Sequence, residues 1–237
     1  MKRLSGKWAL VTGSARGIGQ QIAIGLAEQG CNVIVHGRLD VNIGPTLKLL
    51  ERFDVLTHGV VGDLATAQGV EAVLRGIAAG PDRVDILYNN AAVMNPWLPI
   101  LDVQTGEWQR VMQVNLIAVV ALTQALVPPM KQRGFGRVVN LTSGIKDTPH
   151  LSPYGVSKAA IDKYSLDLAV DLAGSNVLVN TLDPGWLKTD LGGPQADHEV
   201  GTVLPGALVP TLLDDHGASG QRYSAQDYRL EGAAHES

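Results

Sequence analysis

The sequence contains few of the features that mark disulfide-bonded, nucleic-acid-binding or membrane proteins. Its one cysteine, Cys31, excludes an internal disulfide and, beside a predicted buried strand, is expected to be an inert thiol rather than a nucleophile. Lysine and arginine total 19 against 23 aspartate and glutamate residues, and the basic residues are scattered, so no nucleic-acid surface is expected. The longest apolar stretch, 116–127, includes Thr123 and Gln124 and is too short to span a bilayer. We therefore expect a soluble cytoplasmic protein, and no metal site is predicted.

The composition is that of a globular protein with a substantial core. Apolar residues make up 45% of the 237 residues, a length that accommodates one large α/β domain or two smaller ones. The basic segment 1–7 leads into a strand and a glycine-rich loop, unlike a signal peptide. Because no repeat or linker is evident, we predict a single domain, 1–237. It would include a short substrate-loop region at about 186–215 and, within the glycine-poor segment 223–237, a loose tail from about 226.

Apolar runs that alternate with helical patterns predict a parallel sheet. Strands are predicted at 7–12, 32–36, 55–60, 84–88, 137–142 and 176–182, and helices at 18–30, 65–79, 106–133, 153–173 and 199–213. Pro128 and Pro129 predict a kink or a frayed end in the third helix. The alternation predicts an α/β fold, a Rossmann-type doubly wound parallel sheet with helices on both faces. In such folds ligands bind at the carboxyl ends of the strands. The residues expected there are Gly13, Arg38, Asp63, Asn90, Ser143 and Pro184.

A glycine-rich loop follows the first predicted strand. Its sequence, GSARGIG from Gly13 to Gly19, leads into a helix, so backbone N–H groups and the positive end of the helix dipole would face a phosphate. The spacing is GxxxGxG rather than GxGxxG. A tight strand–helix turn without a ligand is the alternative, but the position after the first strand favours a dinucleotide site.

The end of the second strand indicates which dinucleotide is preferred. An acidic residue there would bind the adenosine ribose 2′-hydroxyl, whereas an arginine would accept a 2′-phosphate. Gly37 occupies the acidic position, Arg38 follows it, and Arg16 lies within the glycine loop. Each arginine alone is more often a solvated surface charge. Together they favour NADP(H) over NAD(H).

A tyrosine and a lysine stand at helical spacing in the predicted helix 153–173. Tyr154 and Lys158 are four residues apart, which places both side chains on one helix face. A neighbouring ammonium would favour the phenolate and lower the pKa of Tyr154, and Ser143 offers a hydroxyl for a substrate oxygen. An ordinary amphipathic pair is the alternative interpretation.

These motifs together resemble the short-chain dehydrogenase/reductase family. The shared features are TGSARGIG, NNAA, Asn115, Ser143, YGVSK and DPGWLKTD, in the family's order over about residues 5–190, and DPGWLKTDLGG resembles the carbonyl-reductase branch. The resemblance implies that Tyr154 is the catalytic acid/base and that Ser143 holds the substrate oxygen. It implies further that Lys158 binds the nicotinamide ribose and that Asn115 supports a water-linked proton relay. The cofactor-binding residues implied, with the two arginines, are Gly13, Ser14, Arg16, Gly17, Ile18, Gly19, Arg38, Asp63, Leu64, Asn90, Ala91, Tyr154, Lys158, Pro184, Gly185 and Thr189.

Several positions depart from the family pattern. The loop between Ser143 and Tyr154 is slightly shorter than usual, and the family's NNAG is NNAA here, which requires more room at Ala92. Ser152 is a rival hydroxyl, but its place before Pro153 predicts a helix N-cap. The loop residues near the expected site are Met94, Trp97 and Trp186. They favour an apolar or aromatic substrate, with core packing as the alternative.

The resulting hypothesis is an NADP(H)-dependent carbonyl reductase or alcohol dehydrogenase that acts on a ketone, an aldehyde or a secondary alcohol. The alternative is a catalytically silent nucleotide-binding regulatory protein of the same fold. A sugar-nucleotide epimerase is disfavoured, because such enzymes generally carry a larger C-terminal domain than 237 residues allow. The helices 106–133 and 153–173 are apolar beyond one face, which together with the resemblance predicts a homodimer or homotetramer. The apolar residues concerned are Leu116, Ile117, Val119, Val120, Leu166, Leu168 and Val170.

Overall fold

Seven parallel strands form one sheet in the part of the chain that the computed structural model describes, residues 2–229. The strands are β1 (Trp8–Val11), β2 (Asn32–Gly37), β3 (Thr57–Val61), β4 (Ile86–Asn89), β5 (Gly136–Leu141), β6 (Val177–Asp183) and β7 (Arg222–Ser224). Across the sheet their order is β3-β2-β1-β4-β5-β6-β7, and every neighbouring pair is parallel. The doubly wound sheet predicted from the sequence is confirmed.

Helices cover both faces of this sheet. In residues 2–229 they are α1 (Gly17–Glu28), α2 (Asp40–Leu50), α3 (Ala67–Ala78), α4 (Thr105–Met112), α5 (Ala118–Gln132) and α6 (Ser152–Asp171). One core cluster joins β1 and β2 to α1 and α2, and it includes Val11, Ile22 and Ile43. A second cluster joins the other face to α3, α5 and α6, and it includes Val73 and Leu122. Both faces are therefore filled, which leaves the strand ends for ligands.

The direction of winding changes between β1 and β4. β1 pairs with β2 on one side and with β4 on the other, so Val11 lies beside both Val35 and Tyr88. Loops that leave two such strands run to opposite faces and open a crevice at their carboxyl ends. The glycine-rich loop after β1 lies at this crevice.

A π-helical turn, Gln113–Ile117, joins α4 to α5 and contains Asn115. The whole helical segment, Thr105–Gln132, has the length and mean hydropathy, 1.7 over its most apolar window, of a membrane-spanning helix. Its residues Ala118, Leu122 and Met130 are instead fully buried against the sheet, so it serves as a core helix. The α-helix continues through both of its prolines to Gln132, so the predicted frayed end is wrong.

A buried carboxylate ties the amino ends of the central strands together. Asp85, just before β4, is fully buried and accepts hydrogen bonds from the Trp8 backbone N–H at 3.0 Å and from Arg83 Nε at 2.8 Å. Arg133 Nε lies 3.6 Å from the same carboxylate. A buried carboxylate is tolerated only when it is paired and hydrogen-bonded. These contacts therefore hold β1, β4 and the end of α5 at the edge of the sheet that lies away from the crevice.

Two helix predictions are corrected. Residues 40–50 form α2, which we did not predict because Gly44 and Pro45 interrupt its pattern. Residues 199–213, predicted as a helix, form two 3₁₀ segments, Val200–Val203 and Gly206–Thr211. Pro205 and Pro210 lack the backbone N–H that a continuous α-helix needs.

The C-terminal region and Ser152 also differ from prediction. Arg222–Ser224 form the edge strand β7 and Ala225–Tyr228 form a 3₁₀ turn, so the predicted loose tail does not begin at 226. The predicted tail beyond 229 lies outside the described residues. Ser152 is the first residue of α6, and Leu151 is its N-cap, without a side-chain hydrogen bond.

Candidate active site

The loops that follow the strands bring the predicted site residues to one edge of the sheet. The glycine loop follows β1, and Asn90 and Ala91 follow β4. Ser143 follows β5, and Pro184 follows β6. Tyr154 and Lys158 reach the same edge from the first turns of α6. The sequence-predicted residues thus lie in two neighbouring groups, one around the glycine loop and one around Tyr154.

His36 fixes the backbone of the glycine loop from beneath. Its Nδ1 accepts a hydrogen bond from the Gly13 N–H at 2.9 Å, so its proton is on Nε2, which donates to the Gly62 carbonyl at 3.0 Å. Ser14 adds a second link, because its Oγ accepts from the His36 N–H at 3.0 Å and donates to the Val11 carbonyl at 2.7 Å. Burial lowers the pKa of His36. The loop is therefore held by a neutral histidine.

The loop has the conformation of a phosphate cradle. Gly13 and Gly17 have φ angles of 65° and 59°, a region that residues with a Cβ rarely occupy. A Cβ on Gly19 would lie 2.5 Å from the Asn90 side chain and from the Gly13 carbonyl, so only glycine fits this position. Within residues 2–229 no side chain caps α1, whose first N–H groups therefore face the crevice. This arrangement fits the pyrophosphate of a dinucleotide.

The loop after β6 faces the glycine loop across the crevice. A Cβ on Gly17 would lie 3.5 Å from Thr189 Cγ2, and Arg16 pairs with Asp190 at 2.9 Å. Pro184 is buried, and its carbonyl accepts a hydrogen bond from Gln226 Nε2 at 2.7 Å. The predicted residues Pro184, Gly185 and Thr189 therefore border the same crevice as the glycine loop.

Of the other residues predicted to bind the adenosine half of the cofactor, some are exposed and some are buried or hydrogen-bonded within the protein. Arg38 is exposed just beyond β2, and Asp63 is exposed beyond β3 with Oδ1 accepting from the Ala65 N–H at 3.0 Å. Leu64, in contrast, is buried in the core. Asn90 donates through Nδ2 to the Thr12 and Gly13 carbonyls at 2.8 and 3.2 Å, and the Ala91 N–H donates to Thr12 Oγ1 at 3.1 Å. Asn90 and Ala91 therefore join the loop after β4 to the end of β1.

Asn115 connects three parts of the site. It is buried in the π-helical turn, and its Nδ2 donates to the Val93 carbonyl at 2.9 Å and to Ser157 Oγ at 3.0 Å. Its Oδ1 accepts from the Val93 N–H at 2.8 Å. Ser157 Oγ in turn donates to the Tyr154 carbonyl at 2.7 Å. The side chain thus fixes the loop after β4 against the helix that carries Tyr154.

Tyr154 is buried beside Ser143, and its pKa is raised rather than lowered. Burial raises the pKa of the phenol, the Ser143 hydroxyl acts to lower it, and the carboxylate of Asp183 raises it further. The predicted lowering by Lys158 is therefore corrected, because desolvation disfavours the phenolate more than its surroundings favour it. The Lys158 Nζ lies 5.6 Å from the centre of the Tyr154 ring.

Lys158 is a buried lysine with one internal acceptor. Its Nζ donates to the Leu141 carbonyl at 2.8 Å, at the end of β5. Burial lowers the pKa of Lys158 to about 8, and the charge of Asp162 opposes that change. The ammonium retains further N–H donors, which could reach a ribose hydroxyl.

Trp97 and His150 form an aromatic wall in the loops that adjoin Tyr154. Trp97 is exposed and stacks on His150, with ring centres 4.9 Å apart. The buried Asn95 supports this wall, because its Nδ2 donates to the His150 carbonyl at 2.9 Å and its Oδ1 accepts from the Tyr154 N–H at 3.4 Å. Met94 is partly buried in the same loop.

Trp186 belongs to the loop after β6. It is exposed, and its Nε1 donates to the Gly192 carbonyl at 2.8 Å. Both Trp97 and Trp186 are exposed. The alternative that these two residues pack in the core is therefore wrong.

Several supporting residues were missed from the sequence. These residues are His36, Asn95 and Ser157. Each acts through a hydrogen bond to a residue at least 22 positions away in the sequence, which no local pattern reveals. The one available signal was that polar side chains stand next to the motifs, at His36 near the end of β2 and at Ser157 between Tyr154 and Lys158.

Known proteins share both the sequence and the fold. Residues 7–200 match the family model described as short chain dehydrogenase. Dehydrogenase/reductase SDR family member 4 of Sus scrofa is 38% identical over 192 residues, which cover 80% of this chain and 68% of the relative. The 3-oxoacyl-[acyl-carrier-protein] reductase FabG of Aquifex aeolicus is 34% identical over 192 residues, 80% of this chain and 77% of that protein.

A solved structure agrees over most of the chain. The crystal structure of 3-oxoacyl (acyl-carrier-protein) reductase from Agrobacterium tumefaciens, with NADP bound, has a TM-score of 0.82 and 29% identity, and the match covers 93% of each chain. Sequence, family model and fold agree over the segment that holds the glycine loop and the Tyr154 group. The chain therefore belongs to the short-chain dehydrogenase/reductase family of oxidoreductases.

Proposed function

We propose that this protein is an NADP(H)-dependent oxidoreductase that interconverts a ketone or aldehyde and the corresponding alcohol, with Tyr154 as the general acid/base. The observation that carries the proposal is the meeting of Tyr154, Ser143 and Lys158 at the carboxyl end of β5, beside a glycine loop shaped for a dinucleotide. Membership of an oxidoreductase family supports the reaction class.

The residues divide the chemistry among them. When bound, nicotinamide supplies hydride to a carbonyl carbon or accepts it from an alcohol carbon. Ser143 donates a hydrogen bond to the substrate oxygen and orients it towards Tyr154. During reduction Tyr154 gives its proton to that oxygen, and during oxidation the phenolate removes the alcohol proton.

A raised tyrosine pKa matches the reductive direction. A tyrosine with an ordinary pKa of about 10 is already protonated at neutral pH, and burial raises the pKa of Tyr154 further, so the acid needed for reduction is present. Oxidation needs the phenolate and should therefore be favoured at alkaline pH. Burial lowers the pKa of Lys158 to about 8. Its N–H donors would hold a ribose hydroxyl, and its charged form would favour the phenolate of Tyr154.

Two exposed tryptophans indicate the kind of carbonyl compound. Trp97 and Trp186 present aromatic surface on either side of the loops that lead to Tyr154, which favours an apolar or aromatic ketone or aldehyde.

We further propose a cytoplasmic homodimer or homotetramer.

The test is a spectrophotometric screen of aromatic and aliphatic carbonyl compounds with NADPH and NADH, repeated with Tyr154→Phe. We expect turnover in the wild type and a loss of about 10²–10⁴-fold in the variant, since general acid–base groups contribute that much. Cofactor binding, followed by fluorescence, should change little. Ser152→Ala serves as the matched control and should retain activity.

Two outcomes would contradict the proposal. Near-wild-type turnover in Tyr154→Phe would remove Tyr154 from the reaction. Tight cofactor binding with no turnover for any carbonyl compound or alcohol would instead favour the silent nucleotide-binding protein.

A further inference from the structure

Arg222 occupies the edge strand β7 and contacts three other parts of the site. Its guanidinium Nη2 donates to the Ser143 carbonyl at 2.9 Å and to Asp183 Oδ2 at 3.3 Å. Its Nη1 lies 3.5 Å from Asp162 Oδ2. One side chain thus joins the loop after β5, the end of β6 and the helix α6.

The two carboxylates that Arg222 contacts are the ones that act on the catalytic pair. Asp183 ends β6 and turns the chain towards Pro184, with Oδ1 accepting from the Gly185 N–H at 3.0 Å. Its charge raises the pKa of Tyr154, and the charge of Asp162 raises the pKa of Lys158. A cation between these carboxylates reduces both influences.

The parallel register of β6 and β7 explains why Arg222 reaches these groups. Thr181 pairs with Arg222 and Asp183 with Ser224, so the arginine starts two residues before Asp183 on the neighbouring strand. The planar fork of its guanidinium can serve the Ser143 carbonyl and a carboxylate at the same time.

We propose that Arg222 is a positioning residue that holds the Ser143 loop and screens Asp183 from Tyr154. This inference rests on the proposed function, in which Ser143 and Tyr154 act on the substrate oxygen. Arg222 lies beyond residues 7–200, the segment that matches the family model.

The charged groups around Tyr154 set the direction of the effect. They are Lys158 on its own helix α6 and Asp183 at the end of β6, and Arg222 on β7 contacts Asp183. The hydroxyl of Ser143, which follows β5, is neutral. Removal of the Arg222 charge leaves the Asp183 carboxylate unscreened, which disfavours the phenolate. The titration of Tyr154 should then move to higher pH.

The main experiment compares Arg222→Gln, Asp183→Asn and the double variant in carbonyl reduction and alcohol oxidation across pH. The pH limb of Tyr154 is the part of the pH–rate profile in which the rate follows the ionisation of Tyr154. In Arg222→Gln we expect the midpoint of this limb to rise by roughly 0.2–0.7 pH unit, which corresponds to the strength of a half-exposed ion pair. We expect kcat to fall about fivefold through loss of the Ser143 bond, with the cofactor KM unchanged. The double variant should show no rise relative to the wild type, because Asp183→Asn also removes the negative charge that Arg222 screens.

A second measurement does not depend on turnover. The ultraviolet absorbance of tyrosinate, taken as the difference between each variant and the same variant with Tyr154→Phe, reports the titration of Tyr154 directly. If the proposed function fails because no substrate is turned over, this difference titration still tests the influence of Arg222 on Tyr154.

Two control variants separate screening from folding. Arg83→Gln removes an arginine of similar exposure, 41% against 45%, whose carboxylate partner Asp85 lies at the other end of the sheet. It should lower the melting temperature without moving the pH limb. Arg222→Lys keeps the charge and should keep the pH limb within the error of the wild type, which provides a test if Arg222→Gln does not fold.

The proposal is overturned if Arg222→Gln changes stability alone, as Arg83→Gln does, with the titration of Tyr154 unmoved. It is also overturned if Arg222→Lys raises the pH limb as much as Arg222→Gln, or if the rise persists in the double variant.

Discussion

Arg38 and Arg16 differ in how free they are to meet a 2′-phosphate. Arg16 is already paired with Asp190 at 2.9 Å, although both side chains are largely exposed. Such surface pairs are weak, so a phosphate could compete for Arg16. Arg38 is exposed at the carboxyl end of β2, where the adenosine ribose lies in folds of this type. We therefore expect Arg38 to contribute more than Arg16 to the proposed preference for NADPH.

Arg38→Ala should raise the KM for NADPH about tenfold to a hundredfold and leave the KM for NADH nearly unchanged. Hydrogen bonds to charged groups contribute about 1.5–3 kcal/mol, and only NADPH carries the phosphate. Steady-state kinetics with both cofactors measure the effect, and Arg52→Ala, an exposed arginine beyond the end of α2, is the control. Equal losses for both cofactors, or a wild type that prefers NADH, would show that the end of β2 does not select the phosphate.

At the residue level, the sequence predicted the motif side chains but not their supports. The glycine loop, Ser143, Tyr154 and Lys158 were found because their chemistry depends on short spacings that can be read along the chain. Arg222 stands 79 positions from Ser143, and its role depends on β7 lying next to β6. No local pattern records such a contact. The sign of the Tyr154 pKa shift was wrong for the same reason, since burial is decided by the whole fold.

The ends of β1, β2 and β3 are joined through a single imidazole. His36 accepts from Gly13 after β1 and donates to Gly62 after β3, which requires the neutral tautomer with its proton on Nε2. Protonation of Nδ1 would place a hydrogen against the Gly13 N–H and break that bond. The glycine loop and the stability of this part of the sheet are therefore linked to pH.

Stability should fall as the pH drops below about 6.5, the ordinary pKa of histidine. The pKa of His36 is lowered in the folded protein, so below 6.5 the unfolded chain takes up a proton that the folded one does not. The resulting loss continues until the folded pKa is reached, at about 1.4 kcal/mol per unit of difference. Urea unfolding at a series of pH values should show this slope in the wild type and a smaller one in His36→Asn.

His216→Asn is the matched control. His216 is exposed with a φ of 59°, a conformation that asparagine tolerates, so its replacement should leave the acid slope unchanged. An identical slope in the wild type and in His36→Asn would show that His36 does not control the acid limb.

At the element level, regular periodicity predicted the sheet and most helices, and proline decided the exceptions. α2 tolerates Pro45 within a helix that packs Ile43 and Leu50 on the core. Burial of these side chains outweighs the missing hydrogen bond, which propensity alone could not reveal. Near residue 205 the prolines prevail, and the chain forms 3₁₀ turns that still bury Val203, Ala207 and Leu208. The α-helix predicted for 199–213 is therefore wrong, although its apolar side chains do pack in the core.

On the scale of the whole molecule, α5 and α6 and the turn before them retain apolar surface. Ile117, Leu166 and Val170 are 49%, 49% and 70% exposed, whereas Val119 is buried in the protein's own core. An apolar face of this kind on long helices is commonly covered by a second copy. We propose that this face is the contact surface of the predicted symmetric oligomer.

Light scattering after size-exclusion chromatography should return a mass of two or four times the 25.1 kDa chain at micromolar concentration. Val170→Glu should reduce that mass, because it introduces a charge into the proposed contact. Leu56→Glu changes another exposed apolar residue, one that precedes β3, and should leave the mass unchanged. A monomer mass for the wild type would contradict the proposed assembly.

The buried Asp85 cluster has a consequence for how such a protein can diverge. Arg83, Arg133 and Trp8 hold this carboxylate at one end of the sheet, while the loops with Trp97 and Trp186 lie at the other. Substitutions in those loops leave the Asp85 contacts intact, so the surface beside the candidate site can change at little cost to the stability of the fold.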